Sequence, residues 1–453
     1  MSDLAFLHLR IKKHTIKRIR FIMNRRDFML TAVVGINWGD EGKGRMVDLL
    51  AEKNDIVVRY QGGNNAGHTV INHRGKFILN LLPSGILRPE VVNVMGNGMV
   101  IDIKHLVGEL TNLRNAGIEI TPDNLKISDK AIICMPYHVR QDILEEERLA
   151  DKKYGSTRRG ISPVYGDKYM KKGLRMGDLF ESKEVLTNHV KDILDFKNLI
   201  ISKVYGAQPN TIEGIMAWLE EFGDVLKPYI CDVGEYLNNA VKENKNIMFE
   251  AQLGALRDID FGIYPYTSSS STIAAYAPIG AGVPGKKLDY TLGIMKAYSS
   301  CVGEGPFTCE MFGEEAEKLR EAGGEYGAAT GRPRRVGGFD VVASKYGIQC
   351  QGADAIALTK LDVLNGYDKI PVCVAYEVDG ERITTFPTGD RLNRATPVIE
   401  YVDGWNCDLT GIRTWDALPE NAKKYIKYIE EATECKIQYV SIGAERDEYI
   451  QVF

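Results

Sequence analysis

The sequence predicts an α/β fold in which apolar strands run into glycine-rich loops and then into amphipathic helices. Three stretches carry that expectation. Residues 29–36, MLTAVVGI, are aliphatic and β-branched and lead through WGDEGKGR (residues 38–45) into MVDLLAEK, whose apolar residues recur at helical spacing. Residues 55–61 form a second predicted strand that ends in GGNNAGHT. An apolar run within residues 354–364 delivers the string TKLD at its end. Glycine-rich loops at strand ends are the ligand positions of open α/β sheets.

The first loop sets the chemistry. Gly39, Gly42 and Gly44 free the backbone to turn its N–H groups toward an anion, and the following helix adds its positive end. Lys43 supplies a mobile point charge for phosphate. The match to the standard nucleotide P-loop is imperfect: Asn37 stands where that pattern has glycine, and Gly44 where it has the magnesium-holding Ser or Thr. Asp40 and Glu41 sit inside the turn instead, and a carboxylate aimed into a polyanion site is costly unless it holds metal or moves protons.

The chain has 453 residues, 44% of them hydrophobic and 26% charged, as expected of a globular enzyme. Its 57 basic and 61 acidic residues give a net charge of −4, which argues against nucleic acid or an anionic membrane as partner. No apolar run is long enough to span a bilayer. The eight cysteines are scattered without a CxxC, reading as buried thiols of a reducing, cytoplasmic compartment. Residues 1–28 are rich in Lys and Arg and are expected to be a dispensable extension outside the core, residues 29–453.

Further along, His68 in the second loop reads as a loop histidine, a general acid or a phosphate ligand. A helix is predicted over residues 102–115, and another over 139–152 whose run EEER suits a solvated face. The following loop, YGSTRRGISP, is either a phosphate site built on Ser156, Thr157, Arg158 and Arg159 or an exposed basic loop. Residues 178–244 read as an amphipathic helical insertion. A strand near residues 246–254 precedes DIDFGIYPYTSSSS, a hydroxyl-rich wall or a turn rich in caps. EYGAATGRPRRVGGFD (residues 325–340) is a third anion-suited loop, with Arg332, Arg334 and Arg335 around Pro333. The string Thr359-Lys360-Leu361-Asp362 resembles the base-reading element of GTP-binding proteins, whose Asp accepts hydrogen bonds that only guanine offers. A β-hairpin, a terminal helix and a last strand ending near Ser441 complete the chain. Two or three anionic ligands are implied, which favours phosphoryl transfer or a GTP-driven ligation. No GxGxxG of a dinucleotide dehydrogenase is present.

Taken in order, WGDEGKGR, RYQGGNNAGHT, PSGIL, RRGISP, DIDFGIYPYTSSS, KAYSS, VGEGPF, ATGRPRRVGGFD and TKLDVL resemble the adenylosuccinate synthetases over about residues 29–453. The resemblance implies a large, mostly parallel central sheet flanked by helices, like the P-loop nucleotide hydrolases, with a helical insertion and a small β-hairpin subdomain. It implies a ligase of purine biosynthesis that joins IMP and L-aspartate at the expense of GTP, with one Mg²⁺ per subunit. Through its motifs, Asp40 would be the general base and His68 the acid. GTP would meet Gly39, Asp40, Glu41, Gly42, Lys43, Gly44, Arg45, Gly67, His68, Thr69 and Arg334, with Lys360, Leu361, Asp362, Ser441, Ile442 and Gly443 around the base. IMP would meet Asp40, Glu41, Gly42, Lys43, Asn65, Ala66, Gly67, His68, Thr157, Gln252, Ser268 and Arg332. Ala328, Ala329, Thr330, Gly331, Arg332, Pro333 and Arg334 would hold aspartate, while Asp40 and Gly67 would hold the metal. The family is homodimeric, with a basic residue, here Lys171, reaching the neighbour's IMP. Three positions depart from the family pattern: Lys171 replaces an arginine, FEAQLGAL moves the glutamine to Gln252 with Leu253 in its place, and Ala329 replaces a threonine.

Overall fold

The computed structural model describes residues 29–453 except His73, Arg74, Ala328, Ala329, Thr330, Arg332 and Arg446; the side chains of His68, Thr69, Ile71, Asn72 and Lys76 also lie outside the described residues. The expectation for residues 1–28 falls outside them as well.

Ten strands form the central sheet: β1 (Leu30–Gly35), β2 (Ile56–Arg59), β3 (Val92–Met95), β4 (Leu125–Ser128), β5 (Ile230–Cys231), β6 (Ile247–Glu250), β7 (Tyr290–Lys296), β8 (Ala355–Thr359), β9 (Ile437–Ser441) and β10 (Tyr449–Gln451). Their spatial order is β10-β9-β8-β7-β1-β6-β2-β3-β4-β5. All pairings are parallel except β9 with β10. Every residue of β2, β6 and β8 is buried, which is why these strands read as near-continuous apolar runs: a parallel sheet is covered on both faces. Helix α1 (Lys43–Ala51) starts from Gly42, whose φ of 94° and ψ of 24° a side chain would disfavour. It packs Met46, Val47 and Ala51 against Val33, Val57 and Met248 of one sheet face.

One large apolar cluster lies under the helices Ile103–Asn115, Lys183–Leu199 and Ile212–Leu226. A second gathers around the helix Glu420–Thr433 and the strand Lys369–Val378. That strand pairs with Glu381–Ile383, the expected hairpin. It also pairs with Thr396–Asp403, a strand the sequence reading missed because both its faces are largely exposed and no core pattern marks it. Two further differences have simple causes. The stretch 178–244 is not wholly helical, since β5 adds two residues to the sheet edge, too few to show a period. The predicted solvated helix face is only partly so: in Pro136–Leu149, Asp142 and Glu146 lie one turn apart and are both buried. Among the described residues no helix is long and apolar enough to cross a membrane.

Candidate active site

The loops leaving β1, β2, β6, β7, β8 and β9 all issue from the carboxyl ends of parallel strands, on one rim of the sheet. Following β1, Gly39 and Asp40 have φ of 101° and 59°, so the acid stands on a left-handed turn. For a non-glycine residue that conformation costs roughly 1–2 kcal/mol, less for Asp than for most. Glu41 holds the turn shut. Its carboxylate accepts the backbone N–H of Asn37 (3.1 Å) and of Gly39 (2.7 Å) and pairs with Lys43 Nζ (2.6 Å). Thr359 Oγ1 at the end of β8 donates to the Glu41 carbonyl (2.7 Å). Glu41 is therefore a brace inside the phosphate loop, and it parks Lys43 where the loop curls.

Asp40 faces outward and meets Arg334 of the third loop, Oδ2 to Nη2, at 3.2 Å. Arg334 gives Nη1 to Glu325 at 2.8 Å. Glu325 is fully buried and also accepts Lys296 Nζ (2.7 Å), Lys360 Nζ (3.3 Å) and Tyr298 Oη (2.5 Å). Burial would raise its carboxyl, but Lys296, Lys360 and Arg334 outweigh that and hold it well below the usual range. Lys296 has to share this one carboxylate, and its burial pulls it down to about 8. Sequence reasoning missed Glu325 as a site residue; its only local signal was its place at the head of the arginine loop. Arg335, singled out as anion-suited, is instead committed to Glu310 (Nε to Oε1, 2.9 Å) and the Gly305 carbonyl (2.7 Å). The backbone of the loop closes through Gly331 N–H to the Gly327 carbonyl (2.7 Å). The aspartate residues Ala328, Ala329, Thr330 and Arg332 lie outside the described residues.

Two strands from β1, beyond β7, β8 leads into the guanine-type string. Lys360 takes φ of 59°. Asp362 is largely buried, which raises its carboxyl, and its Oδ1 has no hydrogen-bond partner among the described residues. Arg45 of α1 reaches across to the loop after β9, donating to Ser441 Oγ (2.7 Å) and to the carbonyls of Gly443 (2.5 Å), Glu445 and Glu448 (2.9 Å). Arg45 thus clasps the Ser441–Ile442–Gly443 loop to the phosphate loop.

On the other side, Gln252 is buried and ties the second glycine-rich loop. Its amide donates to the carbonyls of Gly63 (3.0 Å) and Ala66 (3.3 Å) and accepts Gly63 N–H (3.1 Å). Gln61 donates to the Gln252 carbonyl (2.8 Å) and accepts Ser270 Oγ (2.8 Å), which lies 3.1 Å from Ser268 Oγ. A Cβ on Gly67 would lie 2.8 Å from Asn80 Nδ2, so the loop passes where a side chain would not fit without movement. Leu253 takes a left-handed φ of 62° directly beside Gly39. The Thr157 loop is held by Asp142, which accepts Ser156 Oγ (2.7 Å) and Gly160 N–H (2.8 Å), and by Glu146, which accepts the N–H groups of Tyr154 and Gly155 (both 3.2 Å). Thr157 itself is exposed, as is Lys171, which follows the C-cap of the helix Ile161–Tyr169. His68 opens a two-stranded hairpin, His68–Asn72 with Gly75–Leu79.

A parallel sheet with a glycine-rich, lysine-bearing loop on one strand, whose Asp40 faces Arg334, and a TKLD acid at the end of a strand two places away has the architecture of a nucleotide-dependent α/β enzyme. The sequence model of the family described as adenylosuccinate synthetase matches residues 32–450. The adenylosuccinate synthetase of Caldanaerobacter subterraneus subsp. tengcongensis is 44% identical over 422 residues, 93% of this chain and 98% of its own. That of Halothermothrix orenii is 45% identical over 420 residues, 92% and 97% of the two chains. The fully ligated adenylosuccinate synthetase of Plasmodium falciparum superposes with a TM-score of 0.87 at 36% identity, covering 93% of this chain and 99% of that one. A succinoaminodeoxyadenylate synthetase of cyanophage S-2L, at 18% identity and a TM-score of 0.58 over 94% of this chain and 96% of its own, shares the fold alone. The chain belongs to the adenylosuccinate synthetase family. It is a GTP-dependent carbon–nitrogen ligase of purine biosynthesis, joining IMP and L-aspartate.

Proposed function

We propose that Asp40 is the general base and that its place between two ligand loops carries the reaction. The supporting observation is the Asp40–Arg334 contact at 3.2 Å, which brings the phosphate loop and the arginine loop to one carboxylate. In this reading Asp40 takes the N1 proton of IMP. The resulting 6-oxyanion attacks the γ-phosphorus of GTP, the bond to the β-phosphate oxygen breaks, and GDP leaves with its electron pair. The aspartate amine then adds at C6 and expels phosphate. His68 assists the transfer as acid.

Within this reading the GTP phosphates lie along residues 39–45 and 67–69, and guanine offers its ring N–H and amino group to Asp362. Arg334 and the surrounding loop take aspartate. Asn65, Ala66, Gly67, Thr157, Ser268, Gln252 and Arg332 frame IMP.

A single carboxylate plus a backbone carbonyl suits Mg²⁺, which is held by one or two protein oxygens and substrate phosphates, and the described residues contain no all-protein metal cluster. Asp40 and the Gly67 carbonyl would hold it, where it would offset the charge gathering on the phosphates. Asp40 has the exposure for this, its side chain being 33% open.

The active form in this reading is a homodimer in which Lys171 reaches the neighbour's IMP. Tyr169 and Met170, which precede it, are 74% and 54% exposed and offer an apolar face for a second subunit. The eight free cysteines support a cytoplasmic location.

The test is direct: GTP, Mg²⁺, IMP and aspartate together should produce adenylosuccinate absorbance, and omission of any one should abolish it. Equal phosphate release from GTP without IMP and aspartate would overturn the reading.

A further inference from the structure

We propose that Glu325 is a positioning residue that couples guanine binding to the aspartate loop. The inference rests on the assignment of Lys360 and Asp362 to guanine and of Arg334 to aspartate.

The geometry is that of a single anionic node between two loops. Oε2 takes Arg334 Nη1 at 2.8 Å, while Oε1 takes Lys296 at 2.7 Å, Lys360 at 3.3 Å and Tyr298 Oη at 2.5 Å. The backbone repeats the link, since Arg334 N–H donates to the Glu325 carbonyl at 2.9 Å. Glu325 N–H in turn donates to the Arg320 carbonyl (2.9 Å) near the end of the helix Gly313–Gly323, and Lys360 Nζ donates to the Gly323 carbonyl. A Cβ on Gly323 would lie 2.4 Å from Tyr298 Oη and 3.0 Å from Glu325 Cγ, so the node has no slack on that side.

Three cations share one buried carboxylate, and one of them, Arg334, also meets Asp40. Remove the carboxylate and Lys296, Lys360 and Arg334 repel one another with no common partner. Arg334 is the cation that the Asp40 carboxylate and an incoming anion compete for, and Lys360 is the one that packs along a base. A base that fixes Lys360 fixes Oε1, and through the same rigid carboxylate fixes Oε2 and the guanidinium on it. Such coupling is reciprocal in binding: a better-held guanine must tighten aspartate by the factor by which aspartate tightens the nucleotide.

The test compares GTP with ITP, which lacks the 2-amino group, in the full-length protein. In the wild type the KM for aspartate should be higher with ITP than with GTP. In Glu325→Gln the two aspartate KM values should converge, and both should exceed the wild-type GTP value by ~10-fold or more, the effect of losing a charged hydrogen bond. The KM for IMP should change less than that for aspartate, because Glu325 reaches the IMP side only through Arg334 and its loop. Tyr298→Phe, which deletes one donor to Oε1 and keeps the ring, should shift the aspartate KM in the same direction by a few fold, so the idea is tested even if Glu325→Gln fails to fold. Melting temperatures of all variants separate a general loss of structure from this pattern. An unchanged GTP-to-ITP contrast in folded Glu325→Gln, or an unchanged aspartate KM in Tyr298→Phe if the first is unfolded, would overturn the coupling. Absence of turnover in the wild type would overturn the underlying assignment instead.

Discussion

At the proposed guanine end of the site, Asp362 keeps a buried carboxylate oxygen without a partner among the described residues. At the proposed IMP end, Gln61, Gln252, Ser268 and Ser270 spend their polar atoms on one another and on the second glycine-rich loop. The first arrangement leaves a cost that a matching base removes, so it discriminates between ligands. The second sets the shape of a loop before any ligand arrives, so it positions. On the proposed assignment one enzyme would hold two purines by opposite means, and each means predicts its own response to mutation.

The contrast is most easily broken where the two ends meet. Asp40→Asn should lower kcat by ~100-fold or more while GTP binding persists, the range expected for a lost general base. Comparable turnover in that variant would remove Asp40 from the proton path. Next in size is Asp362→Ala. With no carboxylate to satisfy, the preference of GTP over ITP in kcat/KM should collapse by ~10-fold or more, with KM for IMP unmoved. A retained preference would show that guanine is read elsewhere. At the IMP end, Lys171→Arg should tighten IMP by up to ~10-fold by restoring a two-pronged contact. Unchanged or weaker IMP affinity would refute the cross-subunit role of this position.

The smallest effect concerns the scaffold behind the IMP loops. His138 is buried, bonds Asp167 at 2.8 Å and accepts Met135 N–H at 2.9 Å, and burial lowers it to about 4. The unfolded chain would protonate this ring near pH ~6.5. Between those values the unfolded state binds a proton that the folded state refuses, so stability falls as pH drops from ~6.5 to about 4. His138→Gln should flatten that part of the pH dependence of the urea midpoint. An identical slope would place the acid sensitivity in other groups.

Much of this was legible in the chain. β1, β2 and β8 with their glycine-rich or TKLD exits show in the sequence because buried parallel strands and turn residues are local signals. Asp40 stood out as a carboxylate in a phosphate loop. Glu325 did not, because its meaning depends on Lys296 and Lys360, which precede or follow it by dozens of residues. Glu146 was hidden for a related reason: one residue of a charged run turns inward, and only the loop it meets reveals which. The exposed strand Thr396–Asp403 and the two-residue strand Ile230–Cys231 lack the burial contrast or the length that a periodic pattern needs.

The clasp by Arg45 has a consequence for the order of events during synthesis. Its partners Ser441, Gly443, Glu445 and Glu448 leave the ribosome some 400 residues after it does. Contacts of such separation close late, because a long loop must first lose its freedom. The phosphate loop follows β1, whose sheet partners β6 and β7 also lie far along the chain, so on the proposed assignment neither the phosphate site nor the guanine pocket assembles until most of the chain has emerged. A nascent chain before that point would hold no complete nucleotide site, so GTP can stabilise the protein only after its last strands have docked.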